Sequence, residues 1–513
     1  MKRYLLLIII LLNSSKLNAQ EIGLDQRIDE AFQPISDIFS KYVFYPVSLP
    51  FGEYPFVIYF LVGSALFFTI YFVFPNVRYL ITAINVVRGK YDNVEKTSSN
   101  ENDGEVSHFQ ALATAVSGTV GNGNIAGVAL AIALGGPGAT FWMIICGLLG
   151  MSTKFVECTL GVYYRDVDEY GVVYGGPMYY ISKGFKSKGF KTFGTIAASL
   201  FAIFCIGGSF GGGNAAQSNQ ATIVIKNLLG FESTFAGAVI GIILAILVGI
   251  IIIGGIKRIA SVTERIVPIM ALLYIFACIY ILLVNFSFID DAIALIIKEA
   301  FNPSAVGAGG IIGVLMIGFQ RAAFSNEAGA GSASIAHSAV KTKYAASEGL
   351  VALLEPFIDT VVICTMTALV IITFNSTGAF VYGGDGMGGV LIDGVTYEGA
   401  GITQKAFAQY IPGSDIFLTI AVVLFAVSTM ISWSYYGLQS WKFLFGRGKA
   451  ADLTYKILFL VFVVIGAAAS MNSIWAFSDA MIFAMVFPNM IGLYFLFPIV
   501  KQELKKYLKA IKK

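Results

Sequence analysis

ALATAVSGTVGNGNIAGVALAIALGGP, residues 111–137, begins and ends like a membrane helix but changes character in its middle. Gly118, Gly121, Gly123 and Gly127 fall there, together with Thr119, Asn122 and Asn124. That is where an embedded helix lies deepest. Glycine loses more conformational entropy in a helix than any other residue, so the run 118–127 is expected to loosen or break. Irregular backbone survives at membrane depth only when it is buried in protein or lines a wet cavity. The stretch therefore reads as an unwound helix serving as a binding site. The competing reading is a small-residue packing face between helices.

Composition supports a membrane setting. The chain has 513 residues, 57% of them hydrophobic and 13% charged, about half the charged fraction of a soluble domain. An all-α polytopic membrane protein follows, with the lipid bilayer as its solvent. A net charge of +3 gives nucleic acid no reason to bind. Cys146, Cys158, Cys205, Cys278 and Cys364 sit in apolar segments without a CxxC pair and read as core residues. His108 and His337 stand far apart at segment ends, and no metal constellation is visible.

Residues 1–19 have a basic start, an apolar core too short to span and small residues near Ala19, as in a signal peptide. A polar tail, 20–50, follows. Eleven spans are expected after it, at 56–74, 111–137, 139–162, 192–225, 235–254, 262–285, 309–336, 346–374, 416–438, 457–470 and 474–500. A basic tail, 501–513, ends the chain. With the loop after the first span inside, the inner loops and C-tail carry 23 Lys and Arg, against three (Lys226, Lys298, Lys405) in the outer loops. The positive-inside rule then puts the N-tail outside and the C-terminus inside.

Setting the first span apart leaves ten. Glycine-broken spans open each set of five, at 118–127 and at GFQRAAFSNEAGAGSASIAH, and five is odd, so the sets, 107–285 and 306–500, run in opposite senses. Inverted repeats whose interrupted helices mark the binding site are the known logic of secondary transporters. A half-helix break offers N–H groups to a carboxylate and carbonyls to a small cation.

Several long motifs carry a family resemblance: HFQALATAVSGTVGNGNIAGVALAIALGGPGATFWM, MSTKFVECTLGVYYR, GGPMYYI, GNAAQSNQ, ASVTERIVP, SNEAGAGSASIAH and STMISWSYYG. From about His108 to Phe445 the chain resembles the alanine/glycine:cation symporters, that is, sodium:alanine symporters. It departs from their pattern at Asn122, where Thr is frequent, at Ala330 in place of Leu, and at Ile144 in place of a second Trp. The resemblance implies inverted five-helix repeats of the leucine-transporter type with discontinuous helices, in a bacterial-type cytoplasmic membrane. It implies import of a small neutral amino acid, alanine or glycine, with sodium as coupling ion and no cofactor. It further implies substrate contacts from Gly121, Gly123, Asn124, Gln217, Ser325, Asn326, Thr429 and Trp433. Trp433 would limit side-chain volume. Sodium contacts would come from Thr119, Gly121, Asn122, Ser428 and Thr429.

The residues themselves leave other readings open. Gln217 and Thr429 also suit interhelical hydrogen bonding, and Trp433 a buried or interfacial anchor. Glu327 and Arg321 read either as a gate or ion relay, or as a mutual structural pair. Lys154 and Glu157, three apart, are expected to pair on one helix face. Glu355 and Asp359, one turn apart, suit a cation pathway or pairing with a neighbouring helix. Those carboxylates keep a proton-coupled carrier of another solute in play, and a channel or sensor without coupled transport is the rival of a different class. An enzyme finds no support: there is no nucleophile triad or phosphate loop, and the GxGxxG-like spacing at 121–127 lacks a preceding strand.

Overall fold

The computed structural model describes residues 24–49, 52–95, 104–231, 234–304, 310–469 and 471–512. The expected signal segment, 1–19, lies outside them. Among the described residues, seven helices are long and apolar enough to cross a membrane, and the bent pair His108–Thr119 and Gly123–Gly135 makes an eighth. The remaining expected spans are helical but short of full length. Phe56–Tyr71 stops where Val73 and Phe74 turn left-handed ahead of Pro75. Thr234–Ile252 and Gly310–Asn326 are the other two.

The apolar surface faces outward as a membrane protein requires. Ile243, Leu247 and Ile250 are exposed on one helix and Ile269, Leu273 and Phe276 on another, a pattern that water would penalise. The interrupted segment 108–135 is almost wholly buried, and Gly138–Tyr163, Ser414–Phe445 and Ile474–Ala510 are also largely buried. All five cysteines are buried and free. The basic C-terminal segment is not a loose tail. It continues the last helix to Ala510, and Tyr507 is buried there.

The first interrupted helix starts with a capping box, in which Ser107 and Gln110 exchange side-chain and backbone hydrogen bonds. It runs regularly to Thr119, so Gly118 is still helical. The break is narrower than the expected 118–127. Val120 is extended, Gly123–Gly127 coils as a π-helix, and an α-helix resumes at Val128–Gly135, with the two halves bent by 49°. The 192–225 span is not severed either: Gly211–Ala215 forms a π-helical turn inside one continuous helix, Lys191–Leu229. The second true break follows Asn326, where Glu327, Gly329 and Gly331 all have positive φ before Ala333–His337.

Two assemblies hold the first break between them. On one side the 375–413 segment folds over it as a hairpin, Val390–Ile392 with Val395–Tyr397, and a helix, Ala400–Tyr410. Gly383 N–H donates to Ala133 (2.7 Å), and Thr403 Oγ1 donates to the Ile125 carbonyl (3.1 Å) inside the π-helical turn. On the basic side the two histidines, distant in sequence, meet on one carboxylate. His108 Nδ1 bonds Glu348 Oε2, and His337 Nδ1 bonds Glu348 Oε1 at 2.5 Å. The other nitrogen of His108 faces Glu95 (2.7 Å), which also accepts from Thr342 and Tyr507.

The interior pairs differ from those expected at i,i+3. Lys154 turns away from Glu157 and bonds Glu355 at 3.0 Å, with both side chains fully buried. Glu157 instead accepts from Asn489 Nδ2 (2.7 Å). Arg321 bonds Asp479, not Glu327. Tertiary neighbours at closer range outcompete the helical ones.

Truncating one member of a buried pair strands the other charge. Lys154→Met is therefore expected to cost about 3–5 kcal/mol, read by thermal unfolding in detergent; an unchanged midpoint would refute the pairing. Glu95 gives a pH-dependent counterpart. Burial pushes its carboxyl up, but the hydrogen bond and charge of His108, with bonds from Tyr507 and Thr342, outweigh this and leave it below its ordinary value of 4.5. A depressed value stabilises the fold above 4.5, and that contribution fades as the pH falls through the lower folded-state value. Below about pH 4.5 the wild type should lose stability more steeply than Glu95→Gln in an acid titration of the unfolding midpoint.

Candidate functional site

The two broken helices meet. A Cβ built on Gly123 would lie 3.5 Å from Ser325 Cα, an ordinary contact, so the first break rests directly on the end of the second helix. Between them lies a small cavity of about 10 Å³, room for little more than one water. Of the residues expected to touch substrate, Gly123, Gln217, Ser325, Thr429 and Trp433 line it, as does Thr119 from the expected sodium set. Phe324, Glu327 and Ile482 complete the wall, with Gly118 and Gly212.

Gly121, Asn122, Asn124, Asn326 and Ser428 are not part of that lining and have structural work instead. Asn124 Oδ1 accepts from Gly121 N–H (2.9 Å), replacing a lost helical bond. Asn326 Oδ1 does the same for Ala328 N–H (3.0 Å), while its amide nitrogen donates to Thr360 Oγ1 (3.0 Å). Ser428 donates to Phe425 O, and its own carbonyl accepts from Ser117 Oγ at 2.7 Å. Gly121 lets two helices approach: a Cβ there would fall 2.3 Å from Thr429 Oγ1.

Gln217 bridges two irregular segments. Its Oε1 accepts from Asn122 N–H (3.1 Å), and its Nε2 donates to the Gly212 carbonyl (2.9 Å). Thr429 Oγ1 donates to Ser117 O (3.1 Å). Asn122 Nδ2 donates to Gln217 O (3.2 Å), while Asn122 Oδ1 is buried with no donor among the described residues. Trp433 is 1% exposed and lies against the π-helical turn. A Cβ on Gly213 would sit 2.2 Å from the indole, so glycine is required there for the ring to lie so close.

Two carboxylates matter more than the sequence reading allowed. Asp359, fully buried in the π-helical stretch Phe357–Cys364, joins both breaks. It accepts from Asn124 Nδ2 (2.7 Å), Ser325 Oγ (2.9 Å) and Thr360 Oγ1 (2.6 Å), all neutral donors. π-Helical turns of this kind concentrate at functional sites. Glu327 bonds Trp433 Nε1 (2.9 Å) and Ser332 Oγ. A signal for both exists in the sequence: neither has a basic residue three or four positions away, so neither can be neutralised by its own helix.

The family model described as the sodium:alanine symporter family matches residues 40–513. The sodium/alanine symporter AgcS of Methanococcus maripaludis is 39% identical over 87% of this chain and 93% of its own length. The amino-acid carrier protein AlsT of Bacillus subtilis is 35% identical over 93% of this chain and 91% of its own. A crystal structure of MhsT in complex with L-phenylalanine is similar at 15% identity, covering 79% of this chain and all of that one, with a TM-score of 0.49. On the family model and on relatives at this identity and coverage, this multi-pass membrane chain belongs to the sodium:alanine symporter family.

Proposed function

We propose that the protein imports alanine, glycine or a similarly small neutral amino acid together with sodium, by alternating access across a cytoplasmic membrane, with its N-tail outside and C-terminus inside. The observation that carries this reading is Asp359. A carboxylate with no exposed surface and only neutral partners is costly in a low-dielectric interior, and a cation bound beside it relieves that cost. It touches Asn124 in the first break and Ser325 in the second, so a cation held there ties the two broken helices together.

The orphaned Asn122 Oδ1 adds an oxygen ligand of the hard kind sodium prefers. The Asn departure from the family's frequent Thr thus retains an oxygen donor. Thr119, Gly121, Ser428 and Thr429 remain the proposed companions in that sodium set. Trp433, Phe324 and Ile482 are the bulky members of the cavity wall, which favours a substrate with a small side chain. A Bacillus subtilis relative named "Probable sodium/glutamine symporter GlnT" is 33% identical, so glutamine is the competitor to test against alanine. Cation binding that orders the breaks raises substrate affinity, and by linkage substrate raises cation affinity equally.

In proteoliposomes, labelled alanine or glycine should accumulate only under an inward sodium gradient. Accumulation driven as well by a proton gradient alone would favour the proton-coupled reading, and uptake without accumulation the channel. Asp359→Asn keeps the shape and removes the charge. It is expected to lower apparent sodium affinity at least about tenfold; an unaltered sodium titration of uptake would take Asp359 out of the coupling site.

A further inference from the structure

We propose that the Glu327 carboxylate is the counter-charge for the substrate's α-ammonium group, and so the group by which this site tells an amino acid from a carboxylic acid of the same size. This rests on the amino-acid transport reading and names a residue role inside that site.

Among the described residues, Glu327 is the only charged side chain in the wall of the cavity. It is 3% exposed, so water does not stabilise it. Its Oε1 accepts from Trp433 Nε1 at 2.9 Å and its Oε2 from Ser332 Oγ. An ionised carboxylate accepts at about four sites, so each oxygen keeps capacity for one more donor. Of the nearby interior cations, Lys154 is hydrogen-bonded to Glu355 at 3.0 Å and acts on Glu327 only through space, and Arg321 bonds Asp479.

The backbone supplies a second, independent observation. Glu327 has φ +54°, in the left-handed region. That conformation is uncommon for a residue with a side chain, and such strain collects at functional sites. The turn places the carboxylate beside the cavity; one more residue of regular helix would carry it about 100° around the axis.

The disposition of charge around the cavity suits a zwitterion. Its ammonium meets Glu327, while its carboxylate lies toward the glycine-rich break, where the half-helix beginning at Gly123 presents N–H groups. Trp433 serves both ends of the recognition. Its ring bounds the side-chain space, and its N–H fixes the carboxylate that receives the ammonium. Gln217 and Thr429 already bond backbone and are uncharged, so neither supplies a counter-charge.

The test compares alanine with propionate, which has the same carbon chain and carboxylate but no ammonium. Purified full-length protein in detergent with sodium is titrated with each, and apparent affinity is read from the rise in unfolding midpoint. Wild type is expected to respond to alanine and not to propionate. Glu327→Gln should lose alanine affinity by about 30-fold or more, the lower range for truncating one partner of a buried charge pair, and its preference for alanine over propionate should collapse. Glu327→Asp keeps the charge on a shorter arm and should weaken alanine while preserving the preference.

Trp433→Phe removes the indole donor but not the charge, so the preference should again survive. If Glu327 were merely an anchor for the indole, Trp433→Phe and Glu327→Gln would behave alike. An unchanged alanine preference in Glu327→Gln, or its loss in Glu327→Asp, overturns the inference while leaving transport intact. A wild type that no small amino acid stabilises overturns the transport reading first, and this inference with it.

Discussion

A helix that breaks inside a membrane protein frees backbone N–H and C=O groups with no water to receive them. Each must find a partner or cost about 1–3 kcal/mol. The organisation around the two breaks is a response to that constraint. Asn124 takes Gly121 N–H, Asn326 takes Ala328 N–H, Thr403 bonds the Ile125 carbonyl, and Asn489 bonds the Gly329 carbonyl. Four short polar side chains from four different helices thereby keep two kinks in a defined shape. The Thr403 and Asn489 bonds cross between elements, and Asp359 accepts from Asn124 and Ser325 together, so the breaks are geometrically tied to one another.

The same constraint explains why the charged interior looks as it does. Lys154 and Arg321 are each matched to a carboxylate on another helix, Glu355 and Asp479. Buried pairs of this kind add little net stability, since desolvation offsets attraction, but breaking one is expensive. They therefore act best as locks on a particular arrangement. The histidine pair on Glu348 locks the basic side, joining the start of the first interrupted helix to the chain that follows the second. The folded 375–413 segment covers the opposite side. Asp359 and Glu327, by contrast, have only neutral hydrogen-bond donors, and both lie where the broken helices meet.

A division of labour results. Side chains that a family pattern would assign to ligand contact, notably Asn124 and Asn326, bond protein backbone in this conformation, and they hold the cavity's shape. The cavity wall itself is made largely of glycine, aromatic and hydroxyl groups, with one carboxylate. Glycine at Gly121 and Gly213 is what lets Thr429 and the Trp433 ring come so near. A single methyl at either place would push the wall outward or into the cavity.

The amino-acid sequence by itself was enough to establish an all-helical membrane protein, its two glycine-broken segments, the burial of its cysteines and its family. Those features depend on local hydrophobicity, on glycine's weak helix propensity and on contiguous motifs, all of which survive without knowledge of distant contacts. It overstated the first break, because propensity cannot show that Gly118 stays helical and that Gly123–Gly127 relaxes only to a π-helix. It also paired Lys154 with Glu157 and left His108 and His337 apart. Only the tertiary structure decided those partners, since a charge in an apolar interior is settled by whichever opposite group the packed helices bring within about 3 Å. For the same reason the places of Asp359 and Glu327 at the junction were invisible as geometry, although the sequence does hold one signal for them: neither has a basic residue within one helical turn.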